Sequence, residues 1–60
     1  MTPEERTWIG RAQRFARDCE RYFRLQLFEA DTNDERDLSS VGLRHSVGLK
    51  KAFERLLAKQ

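Results

Sequence analysis

The sequence is poor in the residues that stabilise small domains through covalent or metal cross-links. Cys19 is its only cysteine and His45 its only histidine, so it can form neither an internal disulfide nor a standard zinc site. No stretch approaches the ~20 apolar residues needed to cross a bilayer, and the start Met1-Thr2-Pro3 lacks the features of a signal peptide. We therefore expect a chain without metal, cofactor or membrane partner, located in the cytosol, where a lone thiol stays reduced.

The chain is also short. Its 60 residues make one domain (residues 1–60). A domain of that size buries only about 60% of the surface that the unfolded chain exposes, so its core is marginal. With disulfides and metal excluded, association is the remaining source of stability. The net charge of +2 is too small to indicate a class of partner by itself.

Charge is segregated along the chain. Residues 6–24 hold six arginines against two acidic residues, residues 29–37 hold five acidic residues against one arginine, and residues 38–60 hold five basic residues against one acidic residue. The three segments therefore have local charges of +4, −4 and +4. The order basic, acidic, basic gives the chain distinct surfaces despite its small net charge.

The first segment predicts a helix over about residues 3–30. Thr2 is a good N-cap, Pro3 suits the first helical position and Glu5 completes a capping box. Apolar residues then recur at helical spacing within an arc of roughly 140°, and all six arginines fall on the opposite side. The apolar residues are Trp8, Ile9, Ala12, Phe15, Ala16, Cys19, Tyr22, Phe23, Leu27 and Ala30.

A second helix is predicted over about residues 33–59, after a polar turn in which Thr32 and Glu35 offer another capping box. Its predicted apolar stripe is Leu38, Val41, Gly42, His45, Leu49, Ala52, Phe53 and Leu56. Gly42 and Gly48 each destabilise a helix by about 1 kcal/mol relative to alanine, and Ser46 could cap a new helix. The sequence slightly favours a continuous helix and leaves open a break within residues 42–46.

Two such helices predict an all-α antiparallel hairpin. Each helix covers only part of the other's stripe, so we expect a homodimer that closes into a four-helix bundle. Trp8, Phe15, Tyr22 and His45 are the predicted oligomer or partner interface. Four further apolar residues are predicted to point away from the hairpin stripe and to offer an extra contact surface: Leu25, Phe28, Leu43 and Val47.

Catalysis is not indicated. A Cys19–His45 nucleophile pair is conceivable across the hairpin, but no third orienting group or oxyanion donor is evident, and a packed thiol beside a buried or interfacial imidazole is the favoured interpretation. The carboxylates Asp34, Glu35 and Asp37 complement the positive end of the second helix.

The basic face of the first helix consists of Arg11, Arg14, Arg17, Arg21 and Arg24. The last four follow 3-4-3 spacing, and their guanidinium groups suit bidentate contacts with phosphates. Two alternatives stay open: a solvated face with local pairs such as Arg14–Asp18 and Arg17–Glu20, or a site for an acidic protein surface. No aromatic residue interleaves the central arginines as a platform for base stacking.

Two resemblances bear on function. The Met-Thr start, Thr7, the acidic turn and the nearly equal helices resemble the Rop-type RNA-binding four-helix bundle proteins, whose RNA-contacting side chains have no position-by-position match here. Residues 38–46, Leu-Ser-Ser-Val-Gly-Leu-Arg-His-Ser, are similar to a Leu-x-x-Ile-Gly-Leu-x-Arg-Ser stretch of small arginine-rich YjiS-like proteins, with His45 in place of arginine. Both resemblances imply RNA binding, and the second implies a helix break at Gly42-Leu43.

The sequence therefore predicts a small, non-catalytic regulatory or adaptor protein that acts by protein–protein binding through a helical surface. The alternative is an RNA- or DNA-binding regulator that uses the basic face, with Lys50, Lys51 and Arg55 as further contacts.

Overall fold

The computed structural model describes residues 1–59. Helix α1 spans Pro3–Glu29 and helix α2 spans Asn33–Ala58. The two helices pack against each other as an antiparallel hairpin, joined by residues 30–32. The predicted all-α hairpin is confirmed, and each helix ends one residue before its predicted end.

Both helices begin at the predicted caps. The backbone N–H of Glu5 donates to Thr2 Oγ1 at 3.1 Å, and the backbone N–H of Glu35 donates to Thr32 Oγ1 at 3.1 Å. At the turn, Glu35 Oε2 also accepts from the backbone N–H of Asp31 at 3.0 Å. These bonds satisfy N–H groups that have no partner within the helix, so each threonine fixes the residue at which its helix starts.

Helix α2 is continuous through Gly42 and Ser46, so the break implied by the YjiS-like resemblance is wrong. Ser46 Oγ donates to the carbonyl oxygen of Gly42 at 2.8 Å and does not cap a new helix. Gly42 has a packing role, because a Cβ atom there would lie 2.6 Å from Cε1 of Phe23. Its backbone has an ordinary negative φ, so the close approach of α1 explains the glycine.

The side of α1 that faces α2 is the predicted one. Ala16 is buried, and the flanking positions along the same side are half-buried: Ile9, Ala12, Cys19, Phe23, Leu27 and Ala30. Trp8, Phe15 and Tyr22 lie at one edge of the predicted arc and are exposed, as expected for a single hairpin.

The side of α2 that faces α1 differs from the prediction. The inward row is Ser39, Gly42, Leu43, Ser46, Lys50, Phe53 and Leu57, all buried or half-buried. Leu43 and Val47, expected to point away, are both half-buried. Most of the predicted stripe is exposed instead, namely Leu38, Val41, His45, Leu49, Ala52 and Leu56. The reason is that small residues at 39, 42 and 46 let α1 approach closely on that side.

The hairpin has very little interior. Ala16, Ser39 and Ser46 are the only buried residues among those described, and no large side chain is fully buried there. The molecule measures 45 × 14 × 12 Å, with a radius of gyration of 13.8 Å. A globular chain of this length has a radius of gyration of about 10 Å. Within residues 1–59, no helix is long and apolar enough to cross a membrane.

Candidate functional site

The first candidate surface is a row of exposed, mostly apolar side chains on each helix, called here the apolar face. On α1 it consists of Trp8, Phe15 and Tyr22, which are seven residues apart. On α2 it consists of Leu38, Val41, His45, Leu49, Ala52 and Leu56. The predicted interface residues Trp8, Phe15, Tyr22 and His45 all belong to it.

The two rows lie on the same side of the hairpin. At about 100° per residue, the α1 row is rotated roughly 80–120° from the inward-facing Ala16, and the α2 row is rotated roughly 60–140° in the same sense from Ser46. Because the helices are antiparallel, rotation in the same sense about each helix axis places both rows on the same side of the hairpin. Accordingly, Tyr22 of α1 and Leu38 of α2 line one cavity of about 220 Å³ beside the turn. The two rows of the apolar face therefore lie on one side of the hairpin and meet beside the turn.

Two contacts order the α1 side of this face. The guanidinium of Arg11 lies over the Trp8 ring, 5.0 Å from its centroid, in cation–π geometry. The rings of Tyr22 and Phe23 meet edge to face with centroids 5.3 Å apart. Arg11, expected on the basic face, lies at the edge of the apolar face and stacks on its tryptophan.

The opposite side of the hairpin carries an ion-pair cluster centred on Glu20. Lys50 Nζ, on α2, lies 2.8 Å from Glu20 Oε2. Arg24 Nη2, on α1 like Glu20, lies 2.9 Å from Glu20 Oε1. The hydrogen bond from Lys50 holds the pKa of Glu20 below its usual range, assisted by the positive charges of both bases and opposed by desolvation. Glu20 thus pairs with these two residues and not with Arg17, the partner that the sequence spacing suggests.

The second candidate surface is formed by Arg14, Arg17, Arg21, Arg24 and Phe28, called here the arginine surface. Arg14, Arg17 and Arg21 line one shallow depression together with Asp18. All four arginines are exposed. Within residues 1–59, Arg24 is the only one of them in a salt bridge. Four of the five predicted basic-face residues are therefore brought together, and Arg11 is not.

Phe28 was predicted to point away from the hairpin stripe, but its place beside the arginines was not predicted. It is the most exposed large apolar residue among those described, at 90%. It lies four residues after Arg24 and seven after Arg21, so it shares their side of α1. The spacing is visible in the sequence, where it could have placed Phe28 with the arginines. An aromatic ring therefore adjoins the end of the arginine row, although none interleaves the central arginines.

Cys19 and His45 differ in exposure. Cys19 is half-buried against α2, whereas His45 is exposed on the apolar face. Within residues 1–59, no hydrogen bond joins the two side chains, and no group of three potential metal ligands converges.

The fold and its two surfaces define the chain as a small amphipathic helical hairpin. No protein-family model matches the chain, and no curated protein or solved structure is significantly similar to it.

Proposed function

We propose that the chain is a small, non-catalytic regulatory or adaptor protein that acts by binding protein through its apolar face. The observation that carries this proposal is the exposure of seven large apolar side chains on one side of a hairpin that buries only three of its described residues: Trp8, Phe15, Tyr22, Leu38, Val41, Leu49 and Leu56. Large exposed apolar patches on a folded protein mark sites of association with another molecule. Tryptophan and tyrosine on the face, with Arg11 stacked on Trp8, are residue types typical of interaction hot spots.

The non-catalytic part of the proposal rests on the lack of convergent chemistry around Cys19 and His45. The cavity beside the turn is small and open to solvent, and it is lined by Tyr22, Gln26 and Leu38 among others. Such a cavity suits a side chain of a partner better than a reacting substrate. A cytosolic location is part of the same proposal, because a single half-buried thiol fits a reducing compartment.

Two exposed phenylalanines on opposite sides of α1 allow a matched test. Phe15 lies on the apolar face and Phe28 on the arginine surface, and each can be replaced by photoreactive benzoylphenylalanine in the cell that expresses the protein. We expect irradiation to give discrete protein adducts from position 15. If position 15 yields none while the protein is present and folded, protein binding through the apolar face is contradicted.

A second candidate function, RNA or DNA binding, is favoured by one observation, the exposed Phe28 on the same side of α1 as the arginines, one turn beyond Arg24. Aromatic rings beside arginines bind single strands by stacking on bases while the guanidinium groups contact phosphates. In the same experiment this candidate predicts nuclease-sensitive adducts from position 28. The absence of such adducts would contradict it.

Salt dependence gives the independent check in solution. Anisotropy of a labelled single-stranded RNA should show affinity falling steeply as salt rises, and Arg17→Gln or Arg21→Gln should flatten the slope by about 0.7 for each phosphate that the variant no longer neutralises. Arg44→Gln on α2 is the matched control, because it removes one exposed arginine outside the arginine surface. Equal effects of all three variants would indicate non-specific attraction.

A further inference from the structure

The hairpin exposes more surface than a compact chain of its mass. Its accessible area is 5012 Å² for 7.1 kDa. Folded monomers of that mass expose about 4,100 Å² by the usual scaling of area with mass. The excess is therefore about 900 Å², close to the ~800 Å² that each partner contributes to a stable protein–protein interface. One missing partner of similar size would account for the excess.

We infer that a second copy of this chain covers the apolar face, and that two hairpins lie antiparallel to form a four-helix bundle. This inference rests on the proposed function and names the partner of the same face. Because both helices contribute a row, an occupant that covers the whole face must itself be about two helices wide and must present apolar side chains over the same length. A second hairpin meets these requirements, and symmetric pairing of identical faces is the commonest form of association.

The distribution of charge selects the antiparallel arrangement. The turn end, residues 22–39, carries five acidic residues and two arginines, a net charge of −3. The open end, residues 1–11 and 50–59, carries six basic and three acidic residues, a net charge of +3. An antiparallel dimer brings the acidic turn end of each hairpin against the basic open end of the other, whereas a parallel dimer juxtaposes like charges at both ends.

Leu49 and Leu25 provide a matched pair of variants that tests the occupied face. Both are leucines exposed to 53%, but Leu49 lies on the apolar face and Leu25 on the outer side of α1. We expect the wild type to sediment as a dimer and Leu49→Glu to raise the dissociation constant at least about 100-fold, because two charges enter the interface of each dimer. Leu25→Glu should leave it unchanged. Equal weakening by both variants would overturn the inference.

His45 gives a variant that should strengthen the dimer. Its imidazole is the one ionisable group within the α2 row of the apolar face, and it is exposed in the single hairpin. His45→Leu should lower the dissociation constant about 10-fold, because leucine adds apolar area and removes the cost of desolvating a polar ring. Because the expected result is tighter association, it cannot be mistaken for a loss of folding. A weaker dimer would contradict coverage of the face by a second copy.

Cross-linking tests the orientation. In a Cys19→Ser background, the substitutions Leu38→Cys and Leu56→Cys introduce thiols at positions about 27 Å apart along α2. In the antiparallel dimer, Leu38→Cys mixed with Leu56→Cys should give mixed disulfide dimers, and neither protein alone should cross-link efficiently. Efficient cross-linking of each protein with itself would overturn the antiparallel arrangement.

The failure of this inference differs from the failure of the proposed function. If the purified chain is a folded monomer at micromolar concentration and position 15 still gives adducts heavier than two copies in cells, the inference is wrong and protein binding stands. If the monomer gives no protein adduct from position 15, both are wrong. Adducts with the mass of two copies, together with loss of dimer in Leu49→Glu, support the inference and protein binding through the apolar face.

Discussion

Gly42 and Phe23 show how a single residue sets the distance between the helices. A Cβ atom at Gly42 would meet three ring atoms of Phe23 at 2.6–2.7 Å, which is too close for any ordinary packing. By contrast, a Cβ atom at Gly48 would meet nothing within 4 Å. Two glycines in one helix therefore have different roles, although their immediate sequence contexts, Ser-Val-Gly-Leu, are identical.

This difference gives a paired prediction. Gly48→Ala should stabilise the protein by about 1 kcal/mol through helix propensity. Gly42→Ala gains the same propensity but forces the Phe23 ring to move, an overpacking cost of about 1–3 kcal/mol. Urea unfolding at one fixed protein concentration should therefore rank Gly48→Ala above wild type and Gly42→Ala at or below it. Equal stabilisation by both would show that the ring moves freely.

The arginines of α1 also differ in their neighbours. Arg24 shares Glu20 with Lys50 of the other helix, and Arg11 stacks on Trp8. Arg14, Arg17 and Arg21 are thus the arginines of this surface with no salt bridge in residues 1–59. Any phosphate contact should depend most on these three.

At the scale of the helix, each element starts where a threonine accepts a backbone hydrogen bond. The second cap matters more to the fold, because it also positions the turn: Glu35 bonds back to the N–H of Asp31, while Thr32 accepts from Glu35. The acidic residues Asp34 and Glu35 in the first turn of α2 add a favourable interaction with the helix dipole.

Thr32→Ala should therefore destabilise the hairpin by about 1 kcal/mol, the usual cost of losing an N-cap. Thr32→Ser keeps the hydroxyl and should retain most of the stability. Thermal unfolding of the two variants, followed by circular dichroism at 222 nm, measures the difference. If Thr32→Ala and wild type unfold together, the cap hydrogen bond does not limit the stability of α2.

The contact between the helices predicts a dependence on acid. Because the pKa of Glu20 is lowered in the folded state, its ion pair stabilises the fold above the unfolded-state pKa of about 4.3. That stability is lost as the pH falls through the folded-state pKa, when the carboxylate takes up a proton. Glu20→Gln should reduce the slope of unfolding free energy against pH below about pH 5. Glu54→Gln, also on a helix surface but in no salt bridge within residues 1–59, is the control.

At the scale of the whole molecule, the hairpin is elongated and has one apolar side. In the proposed dimer that side is buried and forms the core. Folding would then be coupled to association, because three small buried residues per chain supply little hydrophobic stabilisation. This explains how a chain with no cross-links can still fold.

The melting temperature should consequently rise with protein concentration. For a dimer that unfolds to monomers, each tenfold increase in protein concentration raises the free energy of unfolding by about 1.4 kcal/mol. The melting temperature then rises by about 3–8 °C. Leu25→Glu should keep this dependence, whereas Leu49→Glu should melt at a lower temperature. A melting temperature that is constant over two decades of concentration would show that the hairpin folds alone.

Local sequence determined the helices, their caps, the turn and the inward side of α1, because capping, spacing and propensity act within a few residues of the chain. The side of α2 that faces α1 was decided by tertiary structure. That helix has apolar residues on two sides, the row of Leu38 and Leu49 and the row of Leu43 and Leu57, and periodicity cannot choose between them. The small residues Ser39, Gly42 and Ser46 select the row of Leu43 and Leu57, because they let α1 approach closely. The hydroxyl of Ser46 donates a hydrogen bond to the carbonyl oxygen of Gly42.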